Sequence, residues 1–397
     1  MSNTVLTHQM IAREAAAMLV EEDNLIPNIN TGYDGEFGSP VQGYKKGSTV
    51  SIGIPPVPVT WTGSTFVDND VAEGKVNLTL SQQIGAGLKF TAVEKVLNVA
   101  QFKERFLRPA MNSVRTQVQS YLQLQMAVGA GQMVGTSGTL ATARKTYAQA
   151  GTALDRFLAP SDQRTILFSS DANVDLQDTN ASLFNPTKEV SAEFDTGKVG
   201  RYSGFDFYTS QTLPLQIGNA SSAYVLTAVP AAGATAIAVG TGTGAVKKGT
   251  LLTIAGVHAV HPITGVSNGQ LRQFVVTADF AGGAGNISVY PALTPTTANA
   301  IGTIDALPAG SAGVTFLDTQ ASPGARQGLA FQKNAFVAAF APLPVLASCE
   351  GYTATAGNVS VRVMTFGDGA NDLERTRVDV LLGSAVIRPD HICRITE

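Results

Sequence analysis

The sequence predicts an α+β fold interrupted by an inserted all-β domain, on three observations. A long stretch, 98–133, carries helical periodicity between strand-patterned segments on both sides. From 223 to 317 the helical pattern disappears, and short strands recur between glycine-rich turns, as in a small barrel or sandwich. Beyond 317 the mixed patterning returns, so the β segment reads as an insertion rather than a terminal domain.

Within 98–133, Phe102, Phe106, Ala110, Val114, Val118, Tyr121 and Leu122 follow spacings of three and four that gather them on one helix face. Lys103, Arg108, Asn112, Arg115, Gln119 and Gln123 fall on the other face. Asn98 and Gln101 have the spacing of a capping box. Pro109 has no amide to reach four residues back, so it marks either a kink or a new first turn. From Ala110 onward the pattern gives a rod of roughly 25–30 Å at about 1.5 Å per residue. Such a rod reads as a spine against which sheets are laid, or as a core helix of an α+β enzyme.

A chain of 397 residues holds two or three domains on ordinary expectation. Only 14% of it is charged, against about 25% for typical soluble domains, which implies that much nominal surface is meant to be covered by other subunits. The net charge of −3 offers no broad basic footprint and argues against tight general nucleic-acid binding. It remains compatible with a wall that surrounds nucleic acid. Met1 to Val5 lacks the basic start and apolar run of a signal peptide. No apolar stretch reaches the ~18 residues of a membrane span. The two cysteines, Cys349 and Cys393, form no framework of paired spacings and read as reduced thiols.

In chain order, 7–22 is helix-patterned, with Met10, Ile11, Ala15, Met18 and Leu19 as its stripe and Thr7 as a cap. The segment 23–47 is rich in Asn, Gly and Pro, with Ile29, Tyr33 and Phe37 spaced along it; it reads as an arm lying on a neighbour or as a long surface loop. Val50, Ile52 and Ile54, then Val76, Leu78 and Leu80, alternate with period two and predict a β-hairpin. Its tip, 55–74, holds Trp61, Phe66, Asp68, Asp70 and Glu73, and two large aromatics there need a surface to bury them. That surface belongs either to a neighbour or to the hairpin's own domain.

A second helix is predicted over 139–158, a buried strand over 164–168, a helix capped by Ser169, Ser170 or Asp171, and a strand over 204–208. Within the insertion, strands are expected at 236–239, 251–255, 273–277 and 287–290. After it come apolar or alternating runs at 329–340, 359–365, 375–382 and 392–395.

No constellation meets the spacing demands of a known chemistry. His258 and His261 have no carboxylate or thiol nearby in sequence to complete a metal site. Lys247 and Lys248 precede Gly249, the reverse of a phosphate loop, so 244–250 reads as a turn. Asp368, Asn371, Asp372 and Glu374 depart from calcium-loop spacing and read as a hairpin connection. His391 and Cys393 alternate along a predicted strand without a third, orienting group. The expectation is therefore no catalytic residue, no cofactor and no metal.

Four segments, 197–208 (GKVGRYSGFDFY), 248–262 (KGTLLTIAGVHAVHP), 271–277 (LRQFVVT) and 329–336 (LAFQKNAF), carry a resemblance to the major coat proteins of tailed bacteriophages. The branch it most resembles is typified by short-tailed Salmonella phages, whose coat has the Hong Kong 97-type fold with an inserted, telokin-like β-domain. The resemblance runs from the hairpin to the C-terminus and implies an N-terminal arm (1–47), an extended hairpin loop (48–82) and a peripheral domain with the spine helix (83–134). It further implies an axial domain (135–222), the inserted domain (223–317) and a return to axial and peripheral domains (318–397). It implies a virion subunit assembled in the host bacterial cytoplasm, as hexamers and pentamers of an icosahedral procapsid around double-stranded DNA held without sequence-specific contacts. The partners so implied are further copies of the chain, a separate scaffolding protein, since no long N-terminal coiled coil is visible, and a portal protein; no membrane is involved. The expected assembly contacts are Ile29, Tyr33, Phe37, Trp61, Phe66, Asp68 and Asp70. No isopeptide pair is assignable at the hairpin tip. The alternatives from other classes are a secreted or surface β-rich binding module and an enzyme without a recognisable motif.

Overall fold

A computed structural model of the chain describes residues 8–21, 25–32, 48–55, 63–64, 74–91, 107–141, 143–181, 200–215, 224–297, 302–318, 325–368 and 373–396. In chain order the first elements are α1 (His8–Glu21), β1 (Thr49–Ile54), β2 (Gly74–Thr91), α2 (Arg108–Gly129), β3 (Gln132–Val134), α3 (Arg144–Arg156), β4 (Arg164–Phe168) and α4 (Ser170–Ala181). Next are β5 (Arg201–Tyr202), β6 (Phe205–Thr209), β7 (Tyr224–Leu226), β8 (Ala234–Gly240), β9 (Leu251–Val260), β10 (Ser267–Val276), β11 (Gly285–Leu293) and β12 (Gly313–Phe316). The last are β13 (Gln327–Gln332), β14 (Phe336–Ala341), β15 (Glu350–Ala356), β16 (Val359–Asp368), β17 (Leu373–Val386) and β18 (Ile392–Thr396). They fall into two compact units, one gathering Met1–Gly53, Lys75–Leu122 and Phe336–Ile387, the other chiefly Gln123–Ala335 and Arg388–Glu397.

The first unit is built on a sheet of order β1-β2-β17-β16-β15, with β14 beside β17. The predicted hairpin supplies β1 and β2: Leu80 N–H donates to Ser48 O at 2.9 Å, and Thr49 with Thr79, then Ser51 with Asn77, form polar rungs. Ile52, Leu78 and Leu80 are buried, as their alternation requires. β2 continues past the expected end of the hairpin at 82 and pairs with β17 as far as Thr91↔Leu373. β17 holds β16 along its first half and β14 along its second, which is why so long a strand is needed. α1 lies on β15 and β16 through Ile11, Ala12, Ala15, Ala16, Met18 and Leu19. Met10, expected on that stripe, is exposed; the small Ala12 and Ala16 let the helix approach the sheet instead.

α2 is the predicted spine, 22 residues long, or about 33 Å. Pro109 sits in the first turn of the helix as described, the position where its missing amide costs least. Asn98, Phe102 and Phe106 lie outside the described residues. Ala110, Val114, Val118 and Leu122 are buried as predicted. The helix ends at Gly129, where Gly129 and Gly131 favour it poorly, and Met133, expected at its end, belongs to β3. Gln123, expected on the polar face, is buried: its amide donates to Ser210 Oγ at 2.8 Å and accepts from Thr212 Oγ1 at 3.0 Å.

The second unit contains a mixed sheet of order β3-β18-β13-β4-β6-β5. β4 is buried throughout, as predicted, including Arg164, whose guanidinium donates to Asp155 at 2.6 Å and to Ala159 O at 2.7 Å. Ser169 caps α4 by accepting the Ala172 N–H at 3.0 Å. α3 begins later than predicted, at Arg144, and buries Tyr147 and Leu154 against Ile166, Phe168, Phe205 and Phe207. Tyr147, Phe168 and Phe207 meet edge to face, with centroids 5.6–6.1 Å apart. The single run expected over 329–340 is two strands, β13 and β14, parted by a 3-10 turn at Lys333–Ala335 and placed in different sheets. Both are buried along their length, and the polar Gln332, Lys333 and Asn334 fall at the break between them.

The insertion is a closed barrel of order β10-β11-β8-β7-β12-β9. The four predicted strands are present and longer than expected, and the two missed ones, β7 and β12, close the ring. β7 and β12 are three and four residues long, too short for alternation to stand out. Its core packs Tyr224, Ile237, Val239, Leu252, Ile254, Phe274, Val276, Ile287 and Val289 with Phe316. A closed ring has no open strand edge and this one encloses its own core, so residues 223–317 expressed alone are expected to give a dispersed amide NMR spectrum. A collapsed spectrum would show that the barrel depends on the rest of the chain.

Candidate assembly surfaces

Of the residues expected to make assembly contacts, Tyr33, Phe37, Trp61, Phe66, Asp68 and Asp70 lie outside the described residues. Ile29 is described, and it corrects the expectation: it is 1% exposed, inside its own chain. Its neighbour Asn30 pairs with β14, donating to Phe336 O at 3.3 Å and accepting from Ala338 N–H at 3.0 Å. The main-chain pairing fixes this part of the arm, and Ile29 fills its own subunit's core rather than a neighbour's surface.

On the sheet of the first unit, Asp379 is fully buried and takes two bonds from Arg362 (2.9 and 2.6 Å) and one from Arg377 (2.9 Å). Gln83 donates to the same carboxylate. Gly85 stands opposite, where a Cβ would come within 2.7 Å of both Asp379 Cβ and Val378 O, so no larger residue fits. Next to this cluster, Lys89, Arg375, Arg377, Gly87 and Phe366 line a cleft of about 440 Å³. The network therefore joins three strands through buried charge and leaves a basic cleft at its margin.

On the barrel, the β9–β10 hairpin exposes Ile263 (44%), Val266 (65%) and Leu271 (45%). Three exposed apolar side chains thus lie along one hairpin. Sequence reasoning passed over them because the β10 pattern does not distinguish a core-facing from a solvent-facing Leu271. His261 organises the tip, its Nδ1 accepting from the Ile263 and Thr264 N–H groups at 3.3 and 3.2 Å. His258 meets the one carboxylate that the sequence had hidden, Asp305, with Nδ1 to Oδ2 at 2.8 Å. Burial raises the Asp305 carboxyl, but bonds from the His258 main chain, its ring and the Ala306 N–H outweigh this and leave it below the ordinary carboxylate value. Both histidines thus have structural partners, and among the described residues no group of three or more His, Cys, Asp or Glu converges on a metal-sized site. The 244–250 segment is a turn, as predicted, with Gly249 at φ +89° and Lys248 N–H bound to Asp279 at 2.7 Å.

His391 and Cys393 do not share a strand face. His391 belongs to a 3-10 turn, Pro389–His391, and its Nε2 donates to Phe157 O at 3.1 Å. Cys393 is buried in β18, and burial pushes its thiol up to about 12, which removes the thiolate a nucleophile needs. Burial also holds the His391 imidazole below its ordinary 6.5, against the opposing pull of the Phe157 carbonyl.

The family model described as "P22 coat protein - gene protein 5" matches residues 46–394. Among solved structures, the chain is similar to one from Mycobacterium phage Che8 (12% identity, 93% of this chain and 89% of that one, TM-score 0.49). It is also similar to "Capsid structure of the Cyanophage P-SCSP1u" (12% identity, 89% and 84% covered, TM-score 0.45) and to "Asymmetric unit of bacteriophage PhiM1 mature capsid" (10%, 89% and 83%, 0.41). No curated protein matches the chain.

Because the folded chain favours the neutral form of His391, the group contributes stability that is complete above pH 6.5 and is lost as pH falls through its lower folded pKa. His391→Gln, which keeps a donor for Phe157 O, is expected to flatten the fall in stability below pH 6.5, read by denaturant unfolding of the unassembled subunit. An unchanged slope would mean that this histidine does not titrate on unfolding.

The family model spans almost the whole described chain, from the hairpin that carries β1 to the strand that carries Arg394, so the chain belongs to the P22 coat protein family and is a major capsid protein of a tailed phage.

Proposed function

We propose that this coat subunit builds an icosahedral shell of hexamers and pentamers around packaged double-stranded DNA, as a structural protein that performs no catalytic step. The family match over 46–394 carries the reading. In it, a procapsid forms in the bacterial cytoplasm with a separate scaffolding protein and a portal, and uses no metal or cofactor. The 14% charged composition and the exposed Ile263, Val266 and Leu271 support a subunit whose surface is largely covered by other subunits. The net charge of −3 fits a wall that encloses DNA without gripping it by sequence. Each inter-subunit contact is modest, and a shell repeats it many times over. Negative-stain microscopy of the protein expressed together with a scaffolding protein of the same phage is expected to show closed shells of one size; monomers or amorphous aggregate under the same conditions would refute the proposal.

In this reading the arm residues Tyr33 and Phe37 and the hairpin-tip residues Trp61, Phe66, Asp68 and Asp70 touch neighbouring subunits. Trp61 is the only tryptophan, so its emission reports the tip alone. It is expected to shift to shorter wavelength on assembly, and Trp61→Ala is expected to weaken assembly while leaving the subunit folded, since burying such a side chain is worth ~1.5–3 kcal/mol. Identical emission in subunit and shell, or a Trp61→Ala subunit that fails to fold, would assign the tryptophan to its own core.

A further inference from the structure

The inserted barrel is fastened to the sheet of its own unit by side chains that lie far from it in sequence. Asp318, just past β12, and Arg394 of β18 are both fully buried and meet at 2.7 Å across 76 residues of chain. The second amino group of Arg394 donates to Gly249 O at 2.8 Å, immediately before β9. One guanidinium therefore grips the barrel at two points that are neighbours in space but well apart in sequence. On β10, Gln273 accepts from Met133 N–H at 2.7 Å and donates to Met133 O at 3.0 Å, so its carboxamide stands where a further strand would pair with β3. Beside it, Arg272 reaches Asp390 at 2.7 Å and lies 4.3 Å over the Phe157 ring. Met133, Leu251 and Val275 close the seam with an apolar patch.

The sheet order adds a constraint. β18 lies between β3 and β13, yet the chain reaches it only after running through β14 to β17 in the other unit. β3, the edge strand, has β18 as its strand partner, in parallel register from Cys393↔Gln132 to Ile395↔Val134. The barrel, in contrast, closes from strands all within 224–316. Contacts of smaller sequence separation form at lower loop-closure cost, so closing the barrel costs less chain entropy than closing the seam.

We propose that β18 is a clasp, inserted after the barrel has closed, whose Arg394 fixes the barrel on the frame, so that only clasped subunits hold the barrel in one orientation. Before insertion, Asp318 and Arg394 are each hydrated. A half-formed seam would bury one charge without the other, which is strongly unfavourable, so the clasp is either open or shut. An open subunit has a folded barrel that has lost both bonds from Arg394 and is held by the chain on either side and by Gln273 on a β3 without its strand partner, so its exposed hairpin residues Ile263, Val266 and Leu271 are less fixed in direction. This goes beyond membership of a coat family, and its test on the unassembled full-length subunit needs no shell.

The test is hydrogen exchange of the unassembled subunit, with Arg394→Met, Arg394→Met/Asp318→Leu and Gln273→Ala beside the unaltered chain. In Arg394→Met, amides of β3 and β18 are expected to exchange about tenfold faster or more, while those of Phe274, Val276 and Ile287 in the barrel core stay within about twofold. The double variant, which removes the orphaned carboxylate, is expected to recover most of the lost protection, and Gln273→Ala to loosen β3 alone. Equal loss in the barrel core and in β18, or no loss at β3 and β18, would overturn the clasp. Should Arg394→Met fail to fold, Arg394→Lys keeps the charge and loses the bond to Gly249; protection lost in the seam but not the barrel supports the clasp, and uniform loss overturns it.

Discussion

The buried pair of Arg394 and Asp318 is the constraint on which the architecture of the second unit depends. Two charges with no exposed surface are costly to desolvate, and their attraction offsets that cost only when the geometry is met closely. Such a pair adds little to stability over an apolar filling of the same shape, but removing one partner alone leaves an uncompensated buried charge. Here it ties the strand in the middle of a sheet to the exit of an inserted barrel, and a second bond from the same guanidinium reaches Gly249. Arg362 and Asp379 repeat the device in the first unit, where one carboxylate fully hidden from water joins β2, β16 and β17.

A coat subunit has a particular need for orientation of this kind. A shell is held by contacts that are individually weak, and repeated contacts reinforce one another only if each subunit presents them in the same geometry. Apolar packing alone tolerates small rotations, whereas a buried ion pair does not. The low charge content of the chain fits a subunit whose surface is largely covered in a shell.

The candidate contacts were less legible than the fold. Trp61 and Phe66 announce themselves as large aromatics on a hairpin tip, a local signal that composition and spacing carry. Ile29 carried the same kind of signal and was misplaced, because an apolar residue in a polar segment looks alike whether it fills its own core or a neighbour's. Its place is decided by the pairing of Asn30 with β14, some three hundred residues away in chain order. Gln123 was read as solvent-facing for a similar reason: helical phase put it on the polar side, and Ser210 and Thr212, which satisfy its amide, come from a distant loop.

By itself the sequence determined the spine helix from Ala110 onward, the two-armed hairpin, a helix after β4 with serine among its candidate caps, and the insertion with most of its strands. These follow from periodicity, capping and turn chemistry, which act within a few residues and leave their mark in the local pattern. Tertiary structure alone decided that 329–340 divides between two sheets, that β7 and β12 close the barrel, that His258 meets Asp305, and that β18 lies between β3 and β13. Each of these joins segments far apart in the chain, and the free energy that selects among such pairings comes from burial and charge matching in the assembled core, which no short window of sequence contains.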